Sequence, residues 1–315
     1  MSVPLIAVND VHTVCCVGTG VIGGGWAAYF LAHGFDVVAW DPAADAEDRL
    51  RHLVDAAWPA LTELGLAEGA DRARLRFEPD LEKALAGAQF VQESAPEELD
   101  LKVRLLAEID AAAPEGIVIS SSTSGFGMSE MQVACERPER TIVGHPFNPP
   151  YLIPLVEVVG GIRTSAGVVA WTTDFFHHVG KSVITMEREV PGFIANRLQE
   201  ALWREALYMV AAGEATVEQI DLSITDGPGL RWPVQGPMLT FHLAGGQGGM
   251  AHMLDHFGPS LKSPWTRLVA ADLTPGLRDA VVDGCHREAA GRTIDELVAE
   301  RDAGVIAVLR ALGRA

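Results

Sequence analysis

A glycine-rich turn between an apolar run and a helical pattern restricts the fold of this chain most. The run TVCCV ends at Val17, GTGVIG follows at residues 18–23, and helical spacing then continues to Gly34. A second run, DVVAW, ends at Trp40. This order of strand, glycine turn, helix and strand predicts one βαβ unit, whose two strands lie parallel in a sheet.

The glycine turn has the spacing of a pyrophosphate cradle, in which backbone N–H groups at the start of a helix face the phosphates. Asp41 ends the next strand, where a carboxylate accepts hydrogen bonds from both ribose hydroxyls and repels a 2′-phosphate. We therefore predict NAD as the cofactor, against the alternative of a glycine turn without a ligand. The predicted contacts in the turn are Gly18, Gly20, Val21, Ile22 and Gly23.

The rest of the chain predicts two domains. A helical segment spans about residues 43–66, and short apolar runs near 90–92, 117–120 and 141–143 predict further strands. After Pro191 the sequence is helical with little strand signal. We predict a Rossmann-type, mostly parallel sheet with helices on both faces over residues 1–189, followed by an all-α domain over residues 190–315.

Composition excludes several classes of protein. The 315 residues include 24 Lys plus Arg against 42 Asp plus Glu, a net charge of −18 that disfavours nucleic-acid and membrane partners. The N-terminus lacks the features of a secretory signal, and no uncharged apolar stretch reaches about 18 residues, so we expect a cytoplasmic protein. No metal site is expected, because the histidine pairs His177-His178 and His252-His256 lack a convincing third ligand. The cysteines, too, have no metal-ligand spacing; they are Cys15, Cys16, Cys135 and Cys285.

Two segments hold the candidate catalytic groups: a polar run after a predicted strand, and a proline-containing stretch further along the chain. The run SSSTSG covers residues 120–125, and GHPFNPPYLIPLVEVVGG contains His145, Asn148 and Glu157. A histidine beside prolines is often structural. A carboxylate 12 residues later suits the orientation of an imidazole, but this separation in sequence does not establish a contact.

Five motifs in order resemble the L-3-hydroxyacyl-CoA dehydrogenase superfamily. They are GTGVIGGGWA with VVAWD, QESAPEELDLK, SSSTSG, GHPFNPP with VEVV, and VPGFIANRL. The resemblance implies a Rossmann domain followed by a helical domain, and a homodimer formed through the latter. The apolar face of residues 193–210 is compatible with such a dimer and equally with an intrachain core.

The resemblance also implies roles for individual residues. His145 falls at the general base, Glu157 at its carboxylate partner, and Ser124 and Asn196 at the groups that hydrogen-bond the reacting oxygen. An imidazole with a pKa near ~6.5 suits removal of an alcohol proton at neutral pH. Four more positions match those that contact or line the nicotinamide end of NAD and its ribose: Glu97, Lys102, Ser122 and Asn148.

The substrate prediction depends on a departure from the CoA-linked members. Leu230-Arg231-Trp232 stands where those members have an apolar or tyrosine-proline sequence, whereas members that act on free hydroxy acids have a similar arginine-aromatic pair. A guanidinium binds a free carboxylate bidentately, although Arg231 is also consistent with a surface loop. Segments such as WPALTELGLA are most similar to members that oxidise L-carnitine to 3-dehydrocarnitine.

Carnitine also needs a site for its trimethylammonium group, which favours aromatic faces. Six aromatic side chains are candidates, and Phe147 and Trp232 join Arg231 as the predicted substrate contacts; the six are Phe126, Phe147, Tyr151, Trp232, Phe241 and Trp265. L-gulonate, for which Gln235 and His242 offer polar groups, stays an alternative, as do 3-hydroxybutyrate and a 3-hydroxyacyl-CoA. A non-catalytic, crystallin-like role is disfavoured because it needs none of the four catalytic candidates.

Overall fold

The computed structural model describes residues 5–259 and 265–314. The chain forms two compact units, Met1–Ile194 and Ala195–Ala315. The sequence analysis predicts the boundary between residues 189 and 190. Residues 1–4, which belong to the N-terminal segment without signal features, lie outside the described part.

The first unit is built on one sheet, which has eight strands within residues 5–194 and the order β3-β2-β1-β4-β5-β6-β7-β8. Strands β1 to β6 run parallel, β7 pairs antiparallel with β6, and β8 runs parallel to β7. The predicted mostly parallel sheet is therefore confirmed. The strands are β1 Thr13–Val17, β2 Asp36–Trp40, β3 Leu75–Phe77, β4 Phe90–Glu93, β5 Val118–Ser121, β6 Thr141–Pro146, β7 Leu155–Val159 and β8 Ser182–Met186.

Helices cover both faces of this sheet, as predicted. Successive strand residues point to opposite faces, so Cys16 packs in one apolar cluster with α1, α2 and α6, and Cys15 packs in the other with α3, α4 and α5. The adjacent cysteines are thus small core residues on two sides of β1. The helices of this unit are α1 Val21–Ala32, α2 Ala46–Leu64, α3 Leu81–Leu85, α4 Leu99–Ala112, α5 Met128–Met131 and α6 Ala166–His178.

The second unit is helical in its described residues, 195–259 and 265–314. Its helices are α7 Ala195–Ala211, α8 Val217–Thr225, α9 Pro237–Ala244, α10 Gly249–Phe257, α11 Pro275–Ala289 and α12 Ile294–Ala311. Thr216 and Thr293 begin α8 and α12 with capping boxes, in which the threonine and a side chain three residues later satisfy each other's backbone N–H. In the part of the chain that the structure describes, no helix is long and apolar enough to cross a membrane.

Candidate active site

One edge of the sheet carries most of the predicted site. Because β1, β4, β5 and β6 run parallel, the residues at their carboxyl ends meet at the same edge. Gly18 follows β1, Ser94 follows β4, Ser122 follows β5, and His145 lies near the end of β6. Three strand spacings, about 14 Å, separate β1 from β6. This edge therefore brings the glycine turn and the histidine into one row.

The glycine turn has the shape of a phosphate cradle. Gly18 adopts φ +88°, and a Cβ atom on it would lie 2.7 Å from the carbonyl carbon of Ser94. A Cβ on Gly23 would lie 1.9 Å from the Gly18 oxygen, whereas one on Gly20 would meet nothing within 4 Å. A side chain at residue 18 or 23 would therefore collide with the backbone, whereas the space beside Gly20 is open. Since Gly20 is the N-cap of α1 and has no side chain, the first N–H groups of the helix can face a pyrophosphate.

Asp41 stands beside this cradle at the end of β2. Its Oδ2 accepts hydrogen bonds from the backbone N and the Oγ1 of Thr19, at 2.9 and 3.1 Å, and its Oδ1 accepts one from the backbone N of Ala43 at 3.0 Å. The turn and Asp41 line a cleft of about 670 Å³. A carboxylate fixed in this position is suited to bind ribose hydroxyls.

Two arginines on the flanking helices, Arg49 and Arg104, also line this cleft. Sequence reasoning did not single them out, because a basic residue in a mixed-charge helix has the pattern of a solvated face.

His145 and Glu157 form a buried dyad. They are direct partners in the antiparallel β6–β7 register, and the Nδ1 of His145 lies 2.9 Å from the Oε2 of Glu157. The His145 side chain is 6% exposed and that of Glu157 is 0% exposed. If Nδ1 carries the proton donated to Glu157, the lone pair of Nε2 is free to act as a base.

Glu97 holds the loop that carries Ser124. Its Oε1 accepts hydrogen bonds from Thr123 Oγ1 at 2.7 Å, from Ser124 N at 2.8 Å and Oγ at 3.2 Å, and from Gly125 N at 3.1 Å. Burial disfavours the charged carboxylate, but these bonds and the nearby Lys102 outweigh it and lower the pKa of Glu97. In this structure Glu97 therefore fixes the shape of the serine loop.

Lys102 is buried next to Glu93 and Glu97. Its Nζ donates to the Oε1 of Glu93 at 2.8 Å and lies 3.4 Å from the Oε2 of Glu97, and its side chain is 1% exposed. Glu93, which is fully buried, also accepts a hydrogen bond from Ser121 Oγ. Glu93 was missed by sequence reasoning, although a carboxylate at the end of an apolar strand is a usable signal of a buried partner.

Ser122 belongs to a short chain of hydrogen bonds. The Nε2 of Gln92 donates to Ser122 Oγ at 2.7 Å, and Ser122 Oγ lies 2.8 Å from the Oγ of Ser94, which lines the cleft. Asn148 is exposed, and Phe147 and Tyr151 are half-buried. The nicotinamide contacts assigned to Ser122 and Asn148 stay predictions.

Asn196, Arg231 and Trp232 belong to the second unit, and their approach to His145 stays a prediction. Asn196 lies in the first turn of α7, Arg231 is exposed after the turn Pro228–Leu230, and Trp232 is half-buried. Phe241 and Trp265 are exposed, and Phe126 is half-buried.

His242, one of the polar groups considered for binding L-gulonate, has a partner within the second unit. The Nδ1 of His242 accepts a hydrogen bond from the backbone N of Met250 at 3.1 Å, which connects α9 to α10.

Among residues 5–259 and 265–314, no three His, Cys, Asp or Glu side chains are grouped so that they could hold a metal ion.

A parallel sheet with a glycine cradle, an acidic residue after the second strand and a histidine–carboxylate pair at the same edge defines a dinucleotide-dependent dehydrogenase. Comparison with protein families agrees with this class. Residues 13–190 match the NAD-binding domain of 3-hydroxyacyl-CoA dehydrogenase, and residues 192–276 match the C-terminal domain of the same enzyme. The chain belongs to the 3-hydroxyacyl-CoA dehydrogenase family and is an NAD-dependent oxidoreductase.

Individual relatives are similar over nearly the whole chain. An L-carnitine dehydrogenase of Streptomyces coelicolor is 70% identical over 306 residues, which cover 97% of this chain and 96% of that protein. One of Streptomyces griseus is 70% identical over 98% of this chain and 92% of its own length. Among solved structures, an NAD⁺-dependent dismutase, the 5-dehydrogenase of 5-formyl-3-hydroxy-2-methylpyridine 4-carboxylic acid, has a TM-score of 0.81 at 29% identity, covering 96% of this chain and 99% of that one.

Proposed function

We propose that this protein oxidises the 3-hydroxyl group of L-carnitine to give 3-dehydrocarnitine, with NAD as the acceptor. The observation that carries the reaction type is the buried His145–Glu157 pair at the same sheet edge as the glycine cradle. The choice of carnitine is supported by relatives of that activity at 70% identity over nearly the whole chain.

The proposed mechanism divides the work between the two halves of the site. Bound NAD supplies the acceptor for the two electrons and the hydrogen that leave carbon 3. His145 takes the hydroxyl proton on Nε2, and Glu157 stabilises the imidazolium that results. In this proposal the Ser124 hydroxyl turns from Glu97 toward the substrate oxygen. Ser124 and Asn196 then stabilise the partial negative charge on that oxygen by hydrogen bonds. The residues of the first unit thus hold the cofactor and move the proton.

We assign recognition of carnitine to the second unit together with Phe147. Arg231 binds the carboxylate through its guanidinium, and Trp232 and Phe147 face the trimethylammonium group. Phe147 supports this assignment because its ring lies 4.8 Å from the imidazole of His145, centroid to centroid. Residue 147 is therefore close to the proposed base.

The test is the formation of NADH with purified protein and one candidate substrate at a time. We expect turnover with L-carnitine, and much weaker turnover with L-gulonate, 3-hydroxybutyrate and a 3-hydroxyacyl-CoA. D-carnitine is the matched control, since it has the same charges and the opposite configuration at carbon 3. Turnover only with the CoA ester would overturn the proposed role of Arg231, and turnover with none of them despite NADH binding would favour a non-catalytic role.

We also propose that the protein is a cytoplasmic homodimer formed through the helical unit. Helices α7, α8 and α9 have no buried residue in the described chain, and large apolar side chains on α7, such as Leu202 and Trp203, are about half exposed. A groove of about 500 Å³ between α7 and α8 is lined by apolar residues such as Trp203, Met209 and Ile224 and by polar ones such as Glu205. A cytoplasmic location agrees with four free cysteines.

Sedimentation velocity tests the dimer. We expect twice the chain mass for the wild type and a shift toward the monomer for Trp203→Glu, which places a charge in the apolar groove. Glu200→Gln on the same helix is the control and should leave the mass unchanged. A wild-type monomer at micromolar concentration would contradict this proposal.

A further inference from the structure

The segment that closes the first unit has an unusual backbone next to His145. Gly192 and Phe193 both have positive φ angles, 67° and 53°. Glycine adopts this left-handed region freely, but an aromatic residue rarely does, and such residues persist where the surroundings dictate their conformation. Phe193 is also only 1% exposed. A buried, left-handed phenylalanine therefore requires a structural explanation.

Phe193 packs in one of the two apolar clusters of the first unit. Two contacts of the segment, one from Phe193 and one from Ile194, also lead to the dyad. The ring of Phe193 lies 5.4 Å from the imidazole of His145, centroid to centroid, at an angle of 45°. The backbone N of Ile194 donates to the Oε1 of Glu157 at 3.0 Å, while the Oε2 of Glu157 lies 2.9 Å from His145 Nδ1. One short segment thus contacts the histidine by a ring and its carboxylate partner by a backbone N–H.

A single hydrogen bond does not fix the plane of an imidazole. The bond from Nδ1 to Glu157 still allows the ring to tilt about the line that joins the two atoms. Phe147 meets the imidazole at 61° and Phe193 meets it at 45°, so the two phenyl rings limit this tilt. Proton transfer depends on this limit, because a displacement of about 1 Å in a catalytic group can cost about 100-fold in rate.

We propose that Phe193 is a positioning residue for His145, and that the left-handed turn at Gly192 and Phe193 is what aims its ring at the imidazole and the Ile194 N–H at Glu157. Phe193 acts through His145 and has no contact with the reacting atoms in this proposal. The inference rests on the proposed role of His145 as the general base.

The experiment compares Phe193→Leu with Phe35→Leu in the full-length protein. Phe35 is a matched control, because it is also buried, at 7% exposed, and packs against Phe30 and Phe175 in the other apolar cluster. We expect Phe193→Leu to lower kcat with L-carnitine by roughly 10- to 100-fold while the Kd for NADH stays within about twofold. Phe35→Leu should lower the thermal midpoint and leave kcat within about twofold of the wild type.

A second substitution and a spectroscopic readout keep the test independent of folding. Phe193→Met refills most of the volume without a planar ring, so it should fold and still lower kcat. In ¹⁵N-histidine NMR spectra, the His145 imidazole should move from a single Nδ1–H tautomer to a mixture in both Phe193 variants. A kcat equal to that of Phe35→Leu, or an equal loss of NADH affinity and kcat, would overturn the inference.

His145→Ala separates this inference from the proposed function. If that variant keeps near-normal turnover, the proposed general base is wrong and the role of Phe193 fails with it. If His145→Ala is inactive while both Phe193 variants turn over normally, only the positioning role fails.

Discussion

The two units of this protein differ in how much of their chain they bury. In the first unit, buried charged groups meet partners within the same unit: Glu93 with Lys102 at 2.8 Å, Asp110 with Arg140 at 2.8 Å, and His145 with Glu157 at 2.9 Å. In the described part of the second unit, the buried hydrophobic side chains are Leu277, Ile306 and Leu309, all on the last two helices.

This difference bears on two proposed roles, proton transfer and substrate binding. The groups proposed to move the proton, His145 and Glu157, have hydrogen bonds within the first unit. The groups proposed to bind the substrate, Arg231 and Trp232, lie in a unit whose first three helices have no buried residue in the described chain. We therefore expect substitutions of His145 or Glu157 to change turnover, and substitutions of Arg231 or Trp232 to change substrate affinity.

The largest effect should come from His145→Ala. Loss of the general base should lower kcat by at least about 100-fold, while NADH binding stays nearly intact because the glycine cradle lies on other strands. Stopped-flow turnover and fluorescence titration of NADH measure the two quantities. His177→Ala, at the exposed end of α6, is the control and should behave as the wild type. A matching loss of NADH affinity would show that the two halves of the first unit are not independent.

The dyad also shows how far the sequence could predict this site. The strands β1 and β2 match the predicted runs to the residue, because apolar runs that are bounded by glycine, proline or loop residues mark buried parallel strands. The residues His145 and Glu157 were predicted as partners from resemblance alone. Their contact depends on the antiparallel register of β6 and β7, which a separation of 12 residues does not determine.

Three strands were not predicted, each for its own reason. β3, Leu75–Phe77, has only three residues and no periodicity to detect. β7 and β8 have suitable β-branched residues. However, β7 lies in the segment that holds the catalytic candidates His145 and Glu157, and β8 begins four residues after a helix end. Similarly, the Glu97 and Glu93 hydrogen bonds join residues about 28 positions apart, so they follow from strand order rather than from local sequence.

A smaller effect is expected in the second unit from Arg231→Met. Loss of a charge-assisted bond to the carboxylate, worth about 1.5–3 kcal/mol, should raise KM for L-carnitine by roughly 10- to 100-fold. The Kd for NADH should not change. Arg278→Met, which removes an exposed arginine from the same unit, is the control. An unchanged KM for the Arg231 variant would assign this residue to the surface and would remove substrate recognition from the second unit.

Two substitutions in the glycine turn should separate cofactor binding from folding. In Gly20→Ala the new methyl meets no protein atom, so stability should be kept while the phosphates lose their close approach and the Kd for NADH rises about tenfold. In Gly23→Ala the methyl would lie 1.9 Å from the Gly18 oxygen, so both the thermal midpoint and NADH affinity should fall. Calorimetry with and without NADH measures both. Equal midpoints for the two variants would contradict the cradle geometry.

The smallest effect is expected on thermal stability, from substitution of one carboxylate in each unit, Glu97 and Glu218, at different pH values. Burial opposes ionisation of Glu97, but hydrogen bonds from the serine loop and the charge of Lys102 lower its pKa. Hydrogen bonds from its own backbone N–H and Thr216, and then Arg287, lower the pKa of Glu218. A lowered folded pKa means that each group stabilises the fold above its unfolded pKa, near 4.5, and loses this contribution as pH falls through the folded value.

Glu97→Gln should therefore lower the thermal midpoint at neutral pH, by roughly 2 °C, and the difference from the wild type should disappear well below pH 4.5. Glu218→Gln should show the same trend with a smaller change that added salt removes, because its ion pair with Arg287 is exposed to solvent. The Glu97 difference should depend less on salt, because its charged partner Lys102 is 1% exposed. Equal salt dependence of the two variants would contradict this difference between a buried partner, Lys102, and an exposed one, Arg287.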